Sequence, residues 1–184
     1  ERAIQLNPNY VEAHNNLGTI FKETKEFQKA KDCYERAIQL NPNYVEAHNN
    51  LGTIFKELKK FKKAKDCYER AIQLNPNYAM ALYNLGIIFK QFGLSQKAVG
   101  YFEKAIEIDK NFSLAYCLIA ECHWMYGTWY LGKETEENKK IAIDYIKSAE
   151  ELGESSAEFY TAKALMVGNF KTNEELDFLK TAIE

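Results

Sequence analysis

A run of ten residues, Glu-Arg-Ala-Ile-Gln-Leu-Asn-Pro-Asn-Tyr, begins at Glu1 and returns at Glu35 and Glu69, so the chain repeats itself every 34 residues. Laying residues 11–44 over 45–78 leaves three differences: Thr24 against Leu58, Glu26 against Lys60 and Gln28 against Lys62. A third stretch, 79–112, has diverged further but keeps Ala81, Leu85, Gly86, Phe89, Ala98, Phe102 and Ala105 in register. Self-similarity at this period restricts the chain to architectures in which one small unit stacks on copies of itself.

Inside a unit the apolar residues fall at helical spacing, first Ala13, Leu17, Ile20 and Phe21, then Phe27, Ala30, Tyr34, Ala37, Ile38 and Leu40. Each unit therefore reads as two helices with a turn near Lys25 and Glu26. Asn41-Pro42 ends the second helix, because a proline ring removes the donor and blocks the preceding turn. The chain's three prolines, Pro8, Pro42 and Pro76, all sit in this string and act as punctuation. Gly18, Ala30 and Ala37 are small where Leu17, Phe21 and Tyr34 need room, which lets paired helices approach closely. A two-helix unit cannot bury its apolar face alone, so neighbours must stack.

The Asn-Leu-Gly string followed by Phe21, Ala30, Tyr34, Ala37 and Pro42, repeated at Leu51-Gly52, Phe55, Ala64, Tyr68, Ala71 and Pro76, resembles the signature of the tetratricopeptide repeat family. The resemblance implies an all-α, right-handed α-solenoid of stacked helix-turn-helix repeats. His14 and His48 stand where the family often carries tryptophan, and a packed ring is expected there. The expected organisation is one continuous solenoid: a second-helix fragment at 1–10, repeats at 11–44, 45–78 and 79–112, a stretched repeat at 113–153 with an insertion near 124–138, and a terminal helix pair at 154–184. The string IAIDYIKSAEELG at 141–153, followed by Ala157 and Tyr160, resembles the Sel1-like variant of the family. Glu1 and Glu184 both fall within expected helices, and the chain reads as an excerpt of something longer. Self-association through exposed solenoid ends stays open.

By the same resemblance, first helices line a concave groove, and columns of equivalent residues can be read along it. One column runs Asn16, Asn50, Asn84 and ends at Leu118; beside it lie Glu12, Glu46, Met80, Leu114; Asn15, Asn49, Tyr83, Cys117; Thr19, Thr53, Ile87, Glu121; and Lys22, Lys56, Lys90, Trp124. An asparagine side chain offers one acceptor and two donors, the complement of a peptide backbone. The first column is similar to the asparagine ladder in the repeat domain of O-GlcNAc transferases, which implies a grip on extended peptides. The groove is expected to pass from polar residues to an apolar end at Met80, Tyr83, Ile87 and Trp124, where a ligand would anchor unless a later part of the chain covers it. Ligand-binding candidates are thus Asn15, Asn16, Lys22, Asn49, Asn50, Lys56, Met80, Tyr83, Asn84, Ile87, Lys90 and Trp124. At the places comparable to the clamp that some family members use for a chaperone's terminal carboxylate, the chain has Asn15, Thr19, Met80 and Asn84, so the clamp's lysine and arginine are missing and that function is not expected.

The remaining chemistry is sparse. A hydrophobic fraction of 46% and a charged fraction of 27% place the chain in the ordinary globular range. Its apolar runs are too short to span a bilayer. Cys33 and Cys67 occupy equivalent sites about one helix-packing distance, ~8–10 Å, apart, beyond a disulfide's span; together with Cys117 and Cys122 they read as reduced thiols, which suits an intracellular, cytoplasmic setting, with the nucleus open. No phosphate-binding loop, nucleophile elbow or paired metal spacing is present, so neither enzyme activity, metal nor cofactor is expected. The lysines at 59–65 lack the interleaved aromatics of a nucleic-acid surface apart from Phe61, so no nucleic acid is expected and the run reads as a solvated face. Residues 123–132 are the most aromatic stretch, and Trp129 and Tyr130 are candidate partner anchors. The expected role is a scaffold that holds a protein or peptide segment. The alternatives are the substrate-docking arm of a larger enzyme, such as a glycosyltransferase of the O-GlcNAc type, and a structural subunit of an assembly.

Overall fold

The structure, a computed structural model, describes residues 2–125 and 136–167. Among them are ten α-helices and no strand: α1 (Arg2–Leu6), α2 (Val11–Glu23), α3 (Phe27–Leu40), α4 (Val45–Glu57), α5 (Phe61–Leu74), α6 (Ala79–Gln91), α7 (Ser95–Ile108), α8 (Ser113–Met125), α9 (Glu136–Glu151) and α10 (Ala157–Val167). They fall into two compact units, Glu1–Leu85 and Gly86–Glu184. Trp129 and Tyr130 lie outside the described residues, as does 168–184 with the last expected helix.

The proline string builds the same turn each time. Asn7, Asn41 and Asn75 accept the backbone N–H of Asn9, Asn43 and Asn77 on Oδ1 at 3.0–3.1 Å, and the carbonyls of the same three residues accept the N–H of Tyr10, Tyr44 and Tyr78 at 3.1 Å. Asp109 repeats the arrangement toward Asn111 and Phe112, so a carboxylate replaces the amide without changing the turn. His14 Nε2 donates to the Pro8 carbonyl and His48 Nε2 to the Pro42 carbonyl, both at 2.9 Å. A histidine in the place of tryptophan thereby ties the start of each first helix to the turn before it.

Within a repeat the two helices meet at a glycine. A Cβ added to Gly18 would stand 2.7 Å from the Tyr34 ring, one at Gly52 2.6 Å from the Tyr68 ring, and one at Gly86 2.6 Å from the Phe102 ring. All three rings are fully buried, as are Ala30, Ala64 and Ala98 that open their helices' inner faces. The tyrosine hydroxyls also find partners: Tyr34 lies 3.2 Å from Thr19 Oγ1, and Tyr68 donates to Thr53 Oγ1 at 3.4 Å. In the third repeat Ile87 stands where the threonine was, and the ring is Phe102, with no hydroxyl left to satisfy.

In the first unit α2 packs on α3, α3 on α4, α4 on α5, and α2 touches α4. In the second unit α8 packs on α7, α9 and α10. Cys117, Ala120 and Trp124 of α8 share a core with Ala142, Ile146 and Ala149 of α9 and with Phe159 and Ala162 of α10. Ser156 caps α10 by accepting the Phe159 N–H on Oγ at 3.2 Å.

Candidate functional site

The first helices carry every column read from the sequence, but the structure divides those columns by burial. In the first unit Asn15, Asn49 and Asn84 are buried, Asn50 is half-buried and Asn16 is exposed. The buried amides bond to one another. Asn84 Nδ2 donates to Asn49 Oδ1 at 2.9 Å, Asn49 Nδ2 reaches Asn50 Oδ1 at 3.4 Å, and Asn50 Nδ2 donates to Asn15 Oδ1 at 3.0 Å. The relay runs through three successive first helices, α6, α4 and α2, always with the later helix donating to the earlier.

This corrects the expectation of a ladder free to grip a peptide. The reason is spatial: neighbouring first helices bring the fifth residue of one repeat next to the sixth of the following one, and two asparagines at that contact satisfy each other before any ligand arrives. Only Asn16, at the start of the column, stands open to solvent. Two other columns stay accessible in the first unit: Glu12 and Glu46 are exposed and Met80 retains 45% exposure, while Lys22 and Lys56 are half-buried.

The apolar end is also corrected in part. Tyr83 and Trp124 are buried, so neither presents a free ring to a ligand. Trp124 belongs to the α8–α10 core, which places a later part of the chain over it. Ile87 is half-buried. Lys90 is paired with Glu121, whose side chain is 7% exposed. That carboxylate is buried and the pair spans α6 and α8 inside the second unit, so Lys90 is a structural cation here.

Other candidate chemistry is occupied or suppressed. All four cysteines are free thiols. Burial pushes the thiols of Cys67, Cys117 and Cys122 up to about 12, and that of Cys33 upward as well, so the nucleophilic thiolate is disfavoured at neutral pH. His123 lies with Nδ1 3.4 Å from Asn138 Oδ1 and stacks on Tyr145 at 6.3 Å between ring centroids. Among the described residues no group of three or more His, Cys, Asp or Glu side chains converges as metal ligands would. No described helix is long and apolar enough to cross a membrane.

The profile of the tetratricopeptide repeat family matches residues 11–44 and 45–78, and a second tetratricopeptide profile matches 67–100. Over 35 residues, 19% of the chain, the sequence is 51% identical to the uncharacterized protein ycf37 of Pyropia yezoensis; the match spans 20% of that protein's length. Among solved structures, MamA is 28% identical with a TM-score of 0.67, over 83% of each chain. YrrB, a tetratricopeptide protein with an unusual peptide-binding site, is 20% identical with a TM-score of 0.67 over 99% of this chain and 89% of its own. PilF of Pseudomonas aeruginosa is 22% identical with a TM-score of 0.76 over 98% of this chain and 76% of its own. At these last two identities the likeness is one of fold.

Proposed function

Because this chain carries tetratricopeptide repeats over residues 11–100, we propose that it is a non-enzymatic scaffold that holds a protein or peptide segment across the first-helix face of its first unit. The observation that carries this reading is a doubled set of accessible side chains. Glu12 and Lys22 on α2 recur as Glu46 and Lys56 on α4, with Met80 of α6 exposed in the column of Glu12 and Glu46. The asparagine relay holds the three helices in register, so a ligand meets a surface that is already ordered and loses less entropy on binding.

The doubled surface also constrains the ligand. First helices of adjacent repeats touch, which sets like groups about 8–10 Å apart. An extended peptide advances about 3.3 Å per residue, so a ligand that uses both repeats carries matching charges roughly every third residue. Basic side chains would face Glu12 and Glu46, and acidic ones Lys22 and Lys56. Peptide binding by YrrB gives the fold a precedent for this use.

An array of extended peptides with charges at every second, third or fourth position tests the reading. The expected outcome is selection of the three-residue spacing, with loss of binding in Lys22→Glu/Lys56→Glu and an altered charge preference in Glu12→Lys/Glu46→Lys, both folded by circular dichroism. Binding that survives both double variants would sink it.

A further inference from the structure

The second unit carries a surface feature that the first two repeats lack, and their near-identity makes them an internal reference for it. Phe89 of α6 and Tyr101 of α7 stack with ring centroids 5.3 Å apart and planes 7° from parallel. Lys97 Nζ lies over Phe89 and Lys104 Nζ over Tyr101, each 5.8 Å from the ring centroid. Both lysines are exposed and both rings half-buried. With Gln96 and Gly100 they border an open depression of about 340 Å³. The space over Gly100 is open, since a Cβ there would meet nothing within 4 Å.

The same lysine-over-ring pair exists in the earlier repeats, Lys29 over Phe21 at 5.2 Å and Lys63 over Phe55 at 5.6 Å. There, however, Asp32 and Asp66 stand where the third repeat has Gly100, and Cys33 and Cys67 where it has Tyr101. Lys29 also holds Glu26 at 2.5 Å, whereas the third repeat has Leu94 in that position. The third repeat has therefore replaced the aspartate at this spot with glycine, gained a second ring, and kept a cation, Lys104, where Arg36 and Arg70 stood. Among the described residues neither Lys97 nor Lys104 has an ion-pair partner.

We propose that the Phe89–Tyr101 stack with Lys97 and Lys104 docks an acidic segment of a partner protein, one in which carboxylates alternate with apolar side chains. The two ammoniums offer charge-assisted hydrogen bonds to a carboxylate. Their positions over the rings limit the freedom they lose on binding, and the ring edges and the Gly100 depression receive the apolar side chain. A nucleic acid fits less well. Each ring already has the other ring 5.3 Å away and an ammonium 5.8 Å from its centroid, so a base would have to compete with both for a stacking face. Two cations are also too few for a phosphate backbone, whose affinity is built from many phosphate contacts along a track. None of these residues belongs to the set proposed above for the first unit.

The test uses the whole chain and a short synthetic peptide of alternating Glu and Leu, with the Gln-Leu peptide and single-stranded poly-dT as comparisons. The Glu-Leu peptide is expected to bind with an affinity that falls as salt rises, and to lose about tenfold or more in Lys97→Glu/Lys104→Glu. Gly100→Asp, which restores the residue of the first two repeats, should weaken binding severalfold. Lys29→Glu/Lys63→Glu, at the equivalent places of the first two repeats, should leave it unchanged. Equal binding of the Gln-Leu peptide, no binding of the Glu-Leu peptide, indifference to both Lys97→Glu/Lys104→Glu and Gly100→Asp, or tighter binding of poly-dT that the same variants abolish would each overturn the proposal.

Discussion

Residues that are equivalent in the sequence do different work once folded, and the asparagines show it best. Asn84 is 7% exposed and donates to Asn49, while Asn16 in the same column faces solvent. Asn84→Ala leaves the Asn49 carbonyl oxygen buried without its donor and should cost about 1–3 kcal/mol; Asn16→Ala should stay within about 0.5 kcal/mol. Urea titrations of the two variants check the difference. The glycines make a second case. Ala in place of Gly52 gains up to about 1 kcal/mol of helix propensity, but its Cβ would stand 2.6 Å from a Tyr68 ring that has nowhere to go. Overpacking of this kind costs about 1–3 kcal/mol, so Gly52→Ala should lower the melting temperature. The double variant Gly52→Ala/Tyr68→Leu should lose less than the sum of its singles. The need for a small residue at Gly18 and Gly52 was legible in the sequence, because the large ring and the small residue recur at fixed spacing. The mutual bonding of the asparagines was not, since it depends on how far one first helix is offset from the next.

At the scale of helices, the sequence pattern identified each pair through α7, because apolar spacing and the proline turn are local signals. The fate of α8 was not local. Its apolar residues read either as the end of a groove or as a surface covered by a later part of the chain, and Cys117 and Trp124 share a core with Phe159 and Ala162 of α10. The weak periodicity of a helix buried on several sides explains why its inner and outer faces could not be separated beforehand. The pairing of Lys90 with Glu121 links α6 to α8 in the same way. Lys90→Met would strand a carboxylate that is 7% exposed, a change that typically costs about 3–5 kcal/mol. Lys90→Met/Glu121→Met should recover most of that loss, and a double-mutant cycle by thermal denaturation measures the coupling. A cycle with no coupling would return Lys90 to the list of free surface cations.

For the molecule taken as an array of repeats, the sharpest comparison is between α2 and α4, whose thirteen residues are the same, VEAHNNLGTIFKE. Ile54 of α4 is fully buried, with α3 packed against its helix, whereas Ile20 of α2 is 55% exposed. Ile54→Ala should therefore cost about 2–5 kcal/mol and Ile20→Ala less than about 0.5 kcal/mol, measured by chemical denaturation. Equal costs would mean that these repeats do not stack as described. The sequence by itself determined the repeat length, the helix pairs, the turn that joins repeats and the small-to-large contact inside each pair, because these depend on residues within one period. Tertiary structure alone decided which copy of a residue is covered, which asparagine is spent on its neighbour and which lysine is left for a ligand. Burial and pairing are properties of what lies beside a helix, and identical sequences carry no record of their neighbours.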